Sequence, residues 1–352
     1  MKLLVSALEH SANVHLEALT KELGSDVELV GIFSSALGKP TVDLRSLAIM
    51  GIIDAIRKLR FFVKLKNEMV ELAADADKVL LMDSSGFNLP LAKAIKKRYP
   101  DKEIIYYILP QAWAWKKKRI PVLERTIDTL ASILPFEPSY YSANAPIEYV
   151  GHPLLDEIRQ FKTDVRTHNN KIVFMPGSRR AEITKLMPVF REVRRRLDKD
   201  AVVVIPEFFS DEKVASLYGD LEGFEITHDA HKALYEGEFA FICSGTATLE
   251  ASLIGIPFIL SYIAKPLDYF IVSSLAKIDK VGLGNIMFGH YNGKQLHPEF
   301  LQKAVTPENL LAAYEGYDRE RFFSDAQSLR KYLGHGSSKR VAALIEGAEK
   351  RS

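Results

Sequence analysis

The sequence contains almost no cysteine, no excess of charge of either sign and no long apolar run. Its single cysteine, Cys243, cannot form an internal disulfide, which is typical of proteins from a reducing cytoplasm. The 47 basic and 45 acidic side chains leave a net charge of +2, so the basic field of a nucleic-acid-binding domain is missing. No apolar stretch approaches the roughly 20 residues of a membrane-spanning helix, and no signal peptide pattern opens the chain. We therefore predict a cytoplasmic protein with no nucleic-acid partner, whose membrane contact is at most peripheral.

Metal-binding patterns are also missing from the sequence. No group of histidine, cysteine and carboxylate side chains has convincing ligand spacing, so we predict no metal and no cofactor. His152, directly before Pro153, is interpreted as a turn residue. Cys243 ends the apolar run Phe239–Cys243 and is interpreted as a buried strand residue rather than a nucleophile.

Short apolar runs alternate with longer amphipathic segments along most of the chain. Runs of this kind are typical of parallel strands that are buried on both faces, so the sequence predicts an α/β fold with doubly wound sheets. We predict helices over Asn88–Tyr99 and over most of the chain from Pro307. The predicted strands are Lys2–Leu8, Val27–Ile32, Lys78–Met82, Glu103–Ile108, Leu130–Leu134, Ile172–Met175, Ala201–Ile205, Phe239–Cys243 and Pro257–Tyr262.

A chain of 352 residues exceeds one comfortable hydrophobic core, so two domains are expected. The polar segment Arg159–Asn170 is the predicted linker. We predict two Rossmann-like domains, 1–160 and 171–306, that face a cleft, and a helical tail, 307–352, that packs on the N-terminal domain or on a partner subunit. A ligand is expected in the cleft, at the carboxyl ends of the strands.

Two turns rich in small residues, Pro176–Glu182 and Ser244–Glu250, each follow a predicted strand and open a helix. Small residues allow the backbone to approach phosphate oxygens, and a helix N-terminus offers free N–H groups and a positive dipole end. The pair predicts a nucleotide diphosphate site. Alternatively, both turns only cap helices, with Ser244 as N-cap and Glu250 at the surface. The predicted nucleotide-binding residues are Gly177, Ser178, Arg179, Gly245, Thr246, Ala247 and Glu250.

Asp83 ends a predicted strand and precedes a glycine-containing turn, where a carboxylate faces the cleft and is positioned as a general base. The alternative is a loop or helix-capping carboxylate. Glu9 and Ser11 lie in the first strand-to-helix turn and are expected to line the same cleft, as is Asn88, unless Asn88 only starts its helix.

Two segments combine aromatic and basic side chains. Trp113–Arg119 contains two tryptophans and four cations, and Ile52–Leu72 predicts a basic helix with exposed aromatics. Such surfaces suit an anionic membrane. Solvated lysines over a packed helix are the alternative for each segment.

These motifs, in this order and spacing, resemble the lipid-A-disaccharide synthase family of GT-B glycosyltransferases over nearly the whole chain. The Trp-Ala-Trp segment combined with the two small-residue turns is the most specific part of the resemblance. The matching stretches are 48–51, 83–88, 110–115, 134–137, 151–154, 176–182, 244–250 and 284–285.

The resemblance implies a reaction and roles for residues. UDP-2,3-diacylglucosamine and 2,3-diacylglucosamine 1-phosphate (lipid X) are joined into a β-1′,6-linked disaccharide, with release of UDP, at the inner face of the inner membrane. Asp83 matches the expected base, and Arg179 and Glu250 match nucleotide ligands. Asn285 matches an asparagine needed for activity, which we expect with Asp83 on the side opposite the nucleotide turns. The resemblance also implies a possible homodimer and an acceptor site with Met50, Lys116 and Arg119, where the cluster 116–119 holds the acceptor's 1-phosphate.

Three departures from the family pattern stand in the sequence. Leu8–Asn13 lacks both glycines of the family's opening turn, and Gly86 replaces a second aspartate. Ile263 replaces a basic residue, so a phosphate contact there is expected to pass to Lys265. Alternative functions are a peptidoglycan N-acetylglucosaminyl transferase, a UDP-sugar 2-epimerase, or a non-catalytic UDP-sugar-binding protein that docks on membranes.

Overall fold

Short runs of aliphatic and aromatic residues form the strands of two parallel sheets in the computed structural model of this chain. The structure describes residues 1–43, 55–165, 169–264 and 280–347. The chain divides into a first unit, formed by Met1–Glu157 and Leu333–Ser352, and a second unit, formed by Ile158–Tyr332.

The first unit alternates strands and helices. Its strands are β1 (Lys2–Ala7), β2 (Glu28–Phe33), β3 (Val42–Asp43), β4 (Lys78–Met82), β5 (Glu103–Tyr107), β6 (Thr129–Ser132) and β7 (Ile147–Tyr149). Its helices up to residue 157 are α1 (His10–Thr20), α2 (Ala55–Leu72), α3 (Ser85–Arg98), α4 (Ala112–Trp115), α5 (Ile120–Thr126) and α6 (Pro153–Glu157), with 3₁₀ turns at Ser35–Leu37, Lys117–Arg119 and Glu137–Tyr140.

The second unit repeats this alternation. Its strands are β8 (Lys171–Met175), β9 (Asp200–Val204), β10 (Phe224–Thr227), β11 (Phe239–Cys243), β12 (Phe258–Tyr262) and β13 (Glu299–Leu301). Its helices are α7 (Arg180–Arg196), α8 (Asp211–Tyr218), α9 (Ala230–Glu236), α10 (Ala247–Ile254), α11 (Leu283–Asn292), α12 (Pro307–Glu315) and α13 (Arg319–Leu333), with a 3₁₀ turn at Gln302–Ala304. The last helix of the chain, α14 (Ser337–Glu346), belongs to the first unit.

The strand order of each sheet reverses direction once, next to its first strand. The first sheet runs β3-β2-β1-β4-β5-β6-β7, and the second runs β10-β9-β8-β11-β12-β13. The reversal therefore lies between β1 and β4 in one sheet and between β8 and β11 in the other. In doubly wound sheets, ligands bind outside the carboxyl ends of the strands at this reversal. The residues that follow these four strands are thus the first candidates for a site.

Both sheets are buried on both faces by helices, which explains the nearly continuous apolar character of their strands. Strand side chains of the first sheet fill two cores: Leu4 and Val79 face one, and Leu3 and Leu80 face the other. The predicted α/β class with two doubly wound sheets is confirmed. Cys243 is buried in β11, as predicted.

The tail does not form a separate part of the structure. The sequence places boundaries at 160 and 307, whereas the structure divides the chain at residue 158 and again at 333. Helix α12 buries Leu310 and Tyr314 in the core of the second unit. Helix α14 buries Val341 and Ile345 in the core of the first unit. Across the described ranges, no helix combines the length and the apolar character needed to cross a membrane.

Candidate active site

The turn after β4 holds two consecutive residues in the left-handed backbone region. Asp83 has φ 49° and Ser84 has φ 39°. This region disfavours residues with a side chain, although aspartate tolerates it better than most, and such strain clusters at functional sites. Helix α3 begins at Ser85, three residues earlier than predicted, so Asn88 lies within the helix and does not start it. The turn presents Asp83 at the carboxyl edge of the first sheet.

A buried amide holds the Asp83 turn in this conformation. The Asn88 Nδ2 donates to the carbonyl oxygens of Met82 and Asp83, at 2.9 Å each. Ser6 Oγ donates to Asn88 Oδ1 at 2.6 Å, and the Tyr106 hydroxyl also donates to the Asp83 carbonyl. Asn88 is fully buried. It was predicted to line the cleft, but its amide is used to fix the backbone under Asp83.

The turn after β1 lies beside the Asp83 turn, because Ala7 and Met82 are paired in the sheet. The Ser84 hydroxyl donates to the Glu9 carboxylate at 3.2 Å, so Glu9 and the Asp83 turn are in contact, as expected. Ser11 is exposed in the first turn of α1.

The missing glycines of this opening turn are compensated by a buried asparagine. Asn13 Nδ2 donates to the carbonyls of Ala7 and Glu9, at 2.8 Å each, and its Oδ1 accepts from the Ser34 N–H at 2.7 Å. These bonds give the turn a defined shape without a glycine.

The basic cluster 116–119 contributes one residue to this region. The Arg119 Nη1 donates to Ser85 Oγ at 2.6 Å, which places a guanidinium next to the start of α3. Lys116 is exposed. The tryptophan motif packs against the 134–137 motif, since the rings of Trp113 and Phe136 are 5.0 Å apart in an edge-to-face arrangement.

The first nucleotide turn follows β8 and is held by Glu182. Gly177 has φ 98°, a backbone conformation that favours glycine, and a Cβ there would lie 2.6 Å from Glu182 Oε2, so that carboxylate would have to move. The Glu182 carboxylate accepts from the Arg179 N–H at 3.3 Å and from Arg179 Nη1 at 2.8 Å. These contacts hold the pKa of Arg179 above its ordinary value. The Arg179 side chain remains 79% exposed, so a ligand can reach it.

The second nucleotide turn follows β11, directly beside the first, because Met175 of β8 pairs with Ile242 of β11. Gly245 has φ 150°, and a Cβ there would meet no atom within 4 Å, so its backbone borders open space. Helix α10 starts at Ala247 with Thr246, not Ser244, as its N-cap. One turn along, Glu250 Oε2 lies 3.5 Å from His231 Nε2. The two predicted turns therefore share the edge of the sheet at its reversal point.

Asn285 belongs to the same unit as the two nucleotide turns, contrary to our expectation. It belongs to the second unit, in α11, whose first N–H (Leu283) donates to Thr248 Oγ1 at 3.2 Å. Asn285 is fully buried and its amide is satisfied. Nδ2 donates to the His297 carbonyl at 2.9 Å and to Glu299 Oε1 at 2.7 Å, and Oδ1 accepts from the N–H groups of 296 and 297. No spacing pattern in the sequence indicated this placement.

In the helix predicted to contact a membrane, the described aromatic side chains are less exposed to solvent than expected. Phe61 and Phe62 are half-buried and in edge contact, and Phe62 packs on Phe87 with ring centroids 5.9 Å apart. Among the side chains that the structure describes in this helix, from residue 60 onwards, Val63 is the exposed large apolar one. Two predicted contacts, Met50 and Lys265, lie outside the described residues.

Several functional candidates escaped the sequence analysis. Ser85 and Glu182 lie inside the stretches 83–88 and 176–182 but were not singled out, although the spacing of Arg179 and Glu182 matches a helix-capping pattern. His231 and Glu299 lie outside every motif. Within the described ranges, no three histidine, cysteine or carboxylate side chains are grouped to hold a metal ion.

Comparisons with known proteins match nearly the whole chain to one family. A family model described as lipid-A-disaccharide synthetase matches residues 3–336. A lipid-A-disaccharide synthase of Helicobacter acinonychis (strain Sheeba) is 50% identical and covers 97% of both chains. One from Campylobacter jejuni (strain RM1221) is 43% identical over 97% of this chain and 98% of its own.

Solved structures with the same fold are far more distant in sequence. A MurG structure from Acinetobacter baumannii has a TM-score of 0.61 at 16% identity and covers 98% of this chain and 99% of its own. A UDP-GlcNAc 2-epimerase from Neisseria meningitidis has a TM-score of 0.63 at 10% identity and covers 100% of both chains. These likenesses concern the fold alone.

Proposed function

The chain belongs to the lipid-A-disaccharide synthase family, and we propose that it carries out this family's glycosyl transfer with Asp83 as the general base. The substrates are UDP-2,3-diacylglucosamine and 2,3-diacylglucosamine 1-phosphate, and the products are a β-1′,6-linked disaccharide 1-phosphate and UDP. The observation that carries the proposal is 50% identity over 97% of the chain to a curated synthase. The rival transferase and epimerase activities rest on structural neighbours at 10–16% identity and are not favoured.

The proposed transfer is a single displacement. The acceptor's 6-hydroxyl oxygen attacks the anomeric carbon of the donor, the bond from that carbon to the β-phosphate oxygen breaks, and its electron pair leaves with UDP. The hydroxyl proton goes to the Asp83 carboxylate, and the anomeric configuration inverts. The strained turn that fixes Asp83, tied by Asn88, supports this role because a base must be held in place before the reaction.

UDP leaves as an anion, so the departing charge needs stabilisation. Arg179 offers an exposed guanidinium that pairs well with phosphate oxygens. The turn around Gly245 borders open space and ends at the N-terminus of α10, where free N–H groups favour an anion. Both groups act where negative charge develops, which lowers the barrier.

Two further residues have roles next to the nucleotide. Glu250 lies in the first turn of α10, and its proposed role is to accept hydrogen bonds from the ribose hydroxyls. Asn285 is a positioning residue: it holds the 296–297 backbone and the Glu299 carboxylate, which in turn accepts from the N–H groups of Val281 and Gly282. This network sets the start of α11, which contacts the turn of Thr248.

We propose that the enzyme works as a peripheral protein at the inner face of the inner membrane, since both proposed substrates carry acyl chains. Exposed cations at 116–118 support contact with anionic lipid. A homodimer remains a prediction from the family, and light scattering during size exclusion measures it directly.

One incubation tests the activity. The protein is mixed with UDP-2,3-diacylglucosamine and lipid X, and UDP and the disaccharide are measured by mass spectrometry. Equal amounts of both products are expected. Conversion of a UDP-sugar without acceptor would indicate an epimerase, and binding of UDP-sugar without any turnover would indicate a non-catalytic protein; either result rejects the proposal.

A further inference from the structure

A pocket of about 560 Å³ opens beside the Asp83 turn, in the first unit. Ser85 and Gly86, the first two residues of α3, form one end of its lining, and Arg119 and Val122 line it from the start of α5. The pocket thus begins two residues after the proposed base, at the edge where the first sheet reverses its strand order. Its volume suits part of a small-molecule ligand.

One face of α3 forms most of the lining. Gly86, Leu89, Lys93 and Lys97 recur every three or four residues, which is the spacing of a single helical face. The half of this face nearer Asp83 is apolar, through Leu89 and Pro90, and the other half ends in the two lysines. The lining is therefore amphipathic along the helix.

The two lysines that line the pocket differ in their ion pairs from the neighbouring cations of α3. Lys96 pairs with Asp128 at 2.7 Å, and Arg98 pairs with Glu71 at 3.1 Å. Lys93 and Lys97 are exposed, and neither has an ion pair with any residue in the described ranges. No acidic side chain appears among the residues that line the pocket. Its positive charge is therefore unbalanced and favours an anionic ligand.

The mouth of the pocket is left open by a glycine. A Cβ at Gly86 would meet no atom within 4 Å, and its backbone is in the ordinary helical region. Pro90 has no N–H to donate to the Gly86 carbonyl, so that carbonyl lacks its usual helical partner. A side chain added at Gly86 would take up pocket space without displacing the protein.

We propose that this pocket binds the acceptor: Lys93 and Lys97 hold a phosphate monoester, and Leu89, Pro90 and Val122 contact an acyl chain of the same molecule. The inference rests on the proposed function and names the residues that select its acceptor. An apolar floor under unpaired cations fits an acylated sugar phosphate better than it fits a free phosphate, which has no apolar part, or a neutral lipid, which has no charge.

Kinetics with two acceptors test the phosphate contact. K93Q/K97Q is compared with K39Q/K339Q, which removes the same charge from exposed lysines of the same unit outside the pocket. With the phosphorylated acceptor in detergent, we expect KM for the acceptor to rise about tenfold in K93Q/K97Q, with kcat and the donor KM unchanged. With the dephosphorylated acceptor, the two double variants should behave alike. An unchanged acceptor KM, or an equal rise with both acceptors, overturns the proposal.

A steric variant tests the apolar part. Gly86→Leu should weaken the acceptor with long acyl chains more than one with short chains, while the midpoint of unfolding stays within a few degrees; Gly86→Ala should have a smaller effect in the same direction. Equal affinities for both chain lengths in Gly86→Leu contradict the acyl contact. If Gly86→Leu does not fold, the comparison is made with Gly86→Ala.

Two controls test whether the pocket binds free phosphate or a membrane lipid instead of the acceptor. A third observation shows whether the proposed function itself fails. Inorganic phosphate should inhibit only at concentrations far above the acceptor KM, and inhibition near that KM contradicts the need for an acyl chain. Sedimentation with phosphatidylglycerol vesicles should be similar for both double variants. If K93Q/K97Q loses vesicle binding but keeps its acceptor KM, the lysines serve the membrane and the proposal is rejected. If the wild-type protein forms no disaccharide, the proposed function itself fails.

Discussion

The Nδ2 of Asn88 lies 2.9 Å from the main-chain carbonyl oxygen of Asp83, and it donates a hydrogen bond that fixes the backbone of the proposed base. The same amide reaches Met82, and its oxygen accepts from Ser6, so strand β1, strand β4 and helix α3 meet at one side chain. The strained turn persists because these buried bonds would be lost if it relaxed.

Asn88→Ala is expected to weaken both the fold and the reaction. Ser6, Met82 and Asp83 would each lose a buried hydrogen bond to the Asn88 side chain, which costs about 1–3 kcal/mol of unfolding free energy. Because the backbone of Asp83 is no longer held by these hydrogen bonds, we expect a decrease in kcat that is larger, in fold-change, than any change in the donor KM. Urea unfolding and initial rates measure the two effects. Asn67→Ala, at an exposed site, serves as control and should change stability by less than about 0.5 kcal/mol.

Asp83→Asn isolates the chemistry from the turn. Asparagine also tolerates the left-handed backbone, so the unfolding free energy should change little, whereas kcat should fall by about 10²–10⁴ because the proton acceptor is gone. Asp83→Gly should relieve backbone strain and fold at least as stably, with the same loss of rate. Normal turnover in either folded variant would exclude Asp83 as the base.

Arg179→Ala should weaken UDP binding by about tenfold, because a charge-assisted hydrogen bond to phosphate is lost. Its ion pair with Glu182 is exposed on the arginine side but buried on the carboxylate side, so some unfolding free energy should also be lost, and urea unfolding is measured beside the affinity. Titration calorimetry with UDP measures the affinity. The matched control is the exposed neighbour in Arg180→Ala, and equal UDP affinities in the two variants would remove Arg179 from the nucleotide site.

Asn285→Asp should destabilise the second unit in a pH-dependent way. The new carboxylate would face Glu299 Oε1, which lies 2.7 Å from the present amide nitrogen, and it cannot donate to it. Like charges repel more when both groups are ionised, so the loss of unfolding free energy should be larger at pH 8 than at pH 5. Asn285→Ala should lose about 1–3 kcal/mol with a weaker pH dependence. A stable Asn285→Asp protein with normal UDP affinity would contradict the positioning role.

Glu137 gives the stability of the first unit a predictable pH dependence. Burial raises the pKa of Glu137 from 4.5 to about 7, against the opposing hydrogen bond from Ser132. Between pH 4.5 and 7 the folded protein therefore holds more protons than the unfolded chain, and its stability decreases as the pH rises through this window.

Glu137→Gln should remove this dependence. From pH 5 to pH 8 the wild-type protein should lose about 2–3 kcal/mol more unfolding free energy than Glu137→Gln, as urea titrations at the two pH values will measure. The exposed Glu22→Gln is the control and should follow the wild-type curve. Parallel curves for wild type and Glu137→Gln would show that the carboxyl titrates normally.

The predicted strands were close to those observed, because buried parallel strands are distinct apolar runs. Lys78–Met82 and Phe239–Cys243 match to the residue. The short strands Val42–Asp43, Ile147–Tyr149, Phe224–Thr227 and Glu299–Leu301 were missed. All four lie at sheet edges, and none of the residues of Phe224–Thr227 is buried, so their sequences carry little apolar signal.

The site residues that directly follow central strands could be predicted from the sequence. Those whose position depends on contacts between distant parts of the chain could not. Asp83 and the turns at Gly177 and Gly245 stand directly after central strands, and parallel pairing brings such ends together. The contact between Arg119 and Ser85 joins residues 34 positions apart, and the bond between Asn285 and Glu299 depends on a strand that was not recognised. Such pairings arise from packing and not from local sequence patterns.

The first unit is completed by a helix from the other end of the chain. Helix α14 supplies Val341 and Ile345 to its core, and Ser337 pairs with the buried Tyr107 hydroxyl. During synthesis, residues 1–157 leave the ribosome first, but the core of the first unit can be completed only after residues 337–346 have been made. A premature stop near residue 335 would leave the second unit intact in sequence and still expose the apolar interior of the part made first.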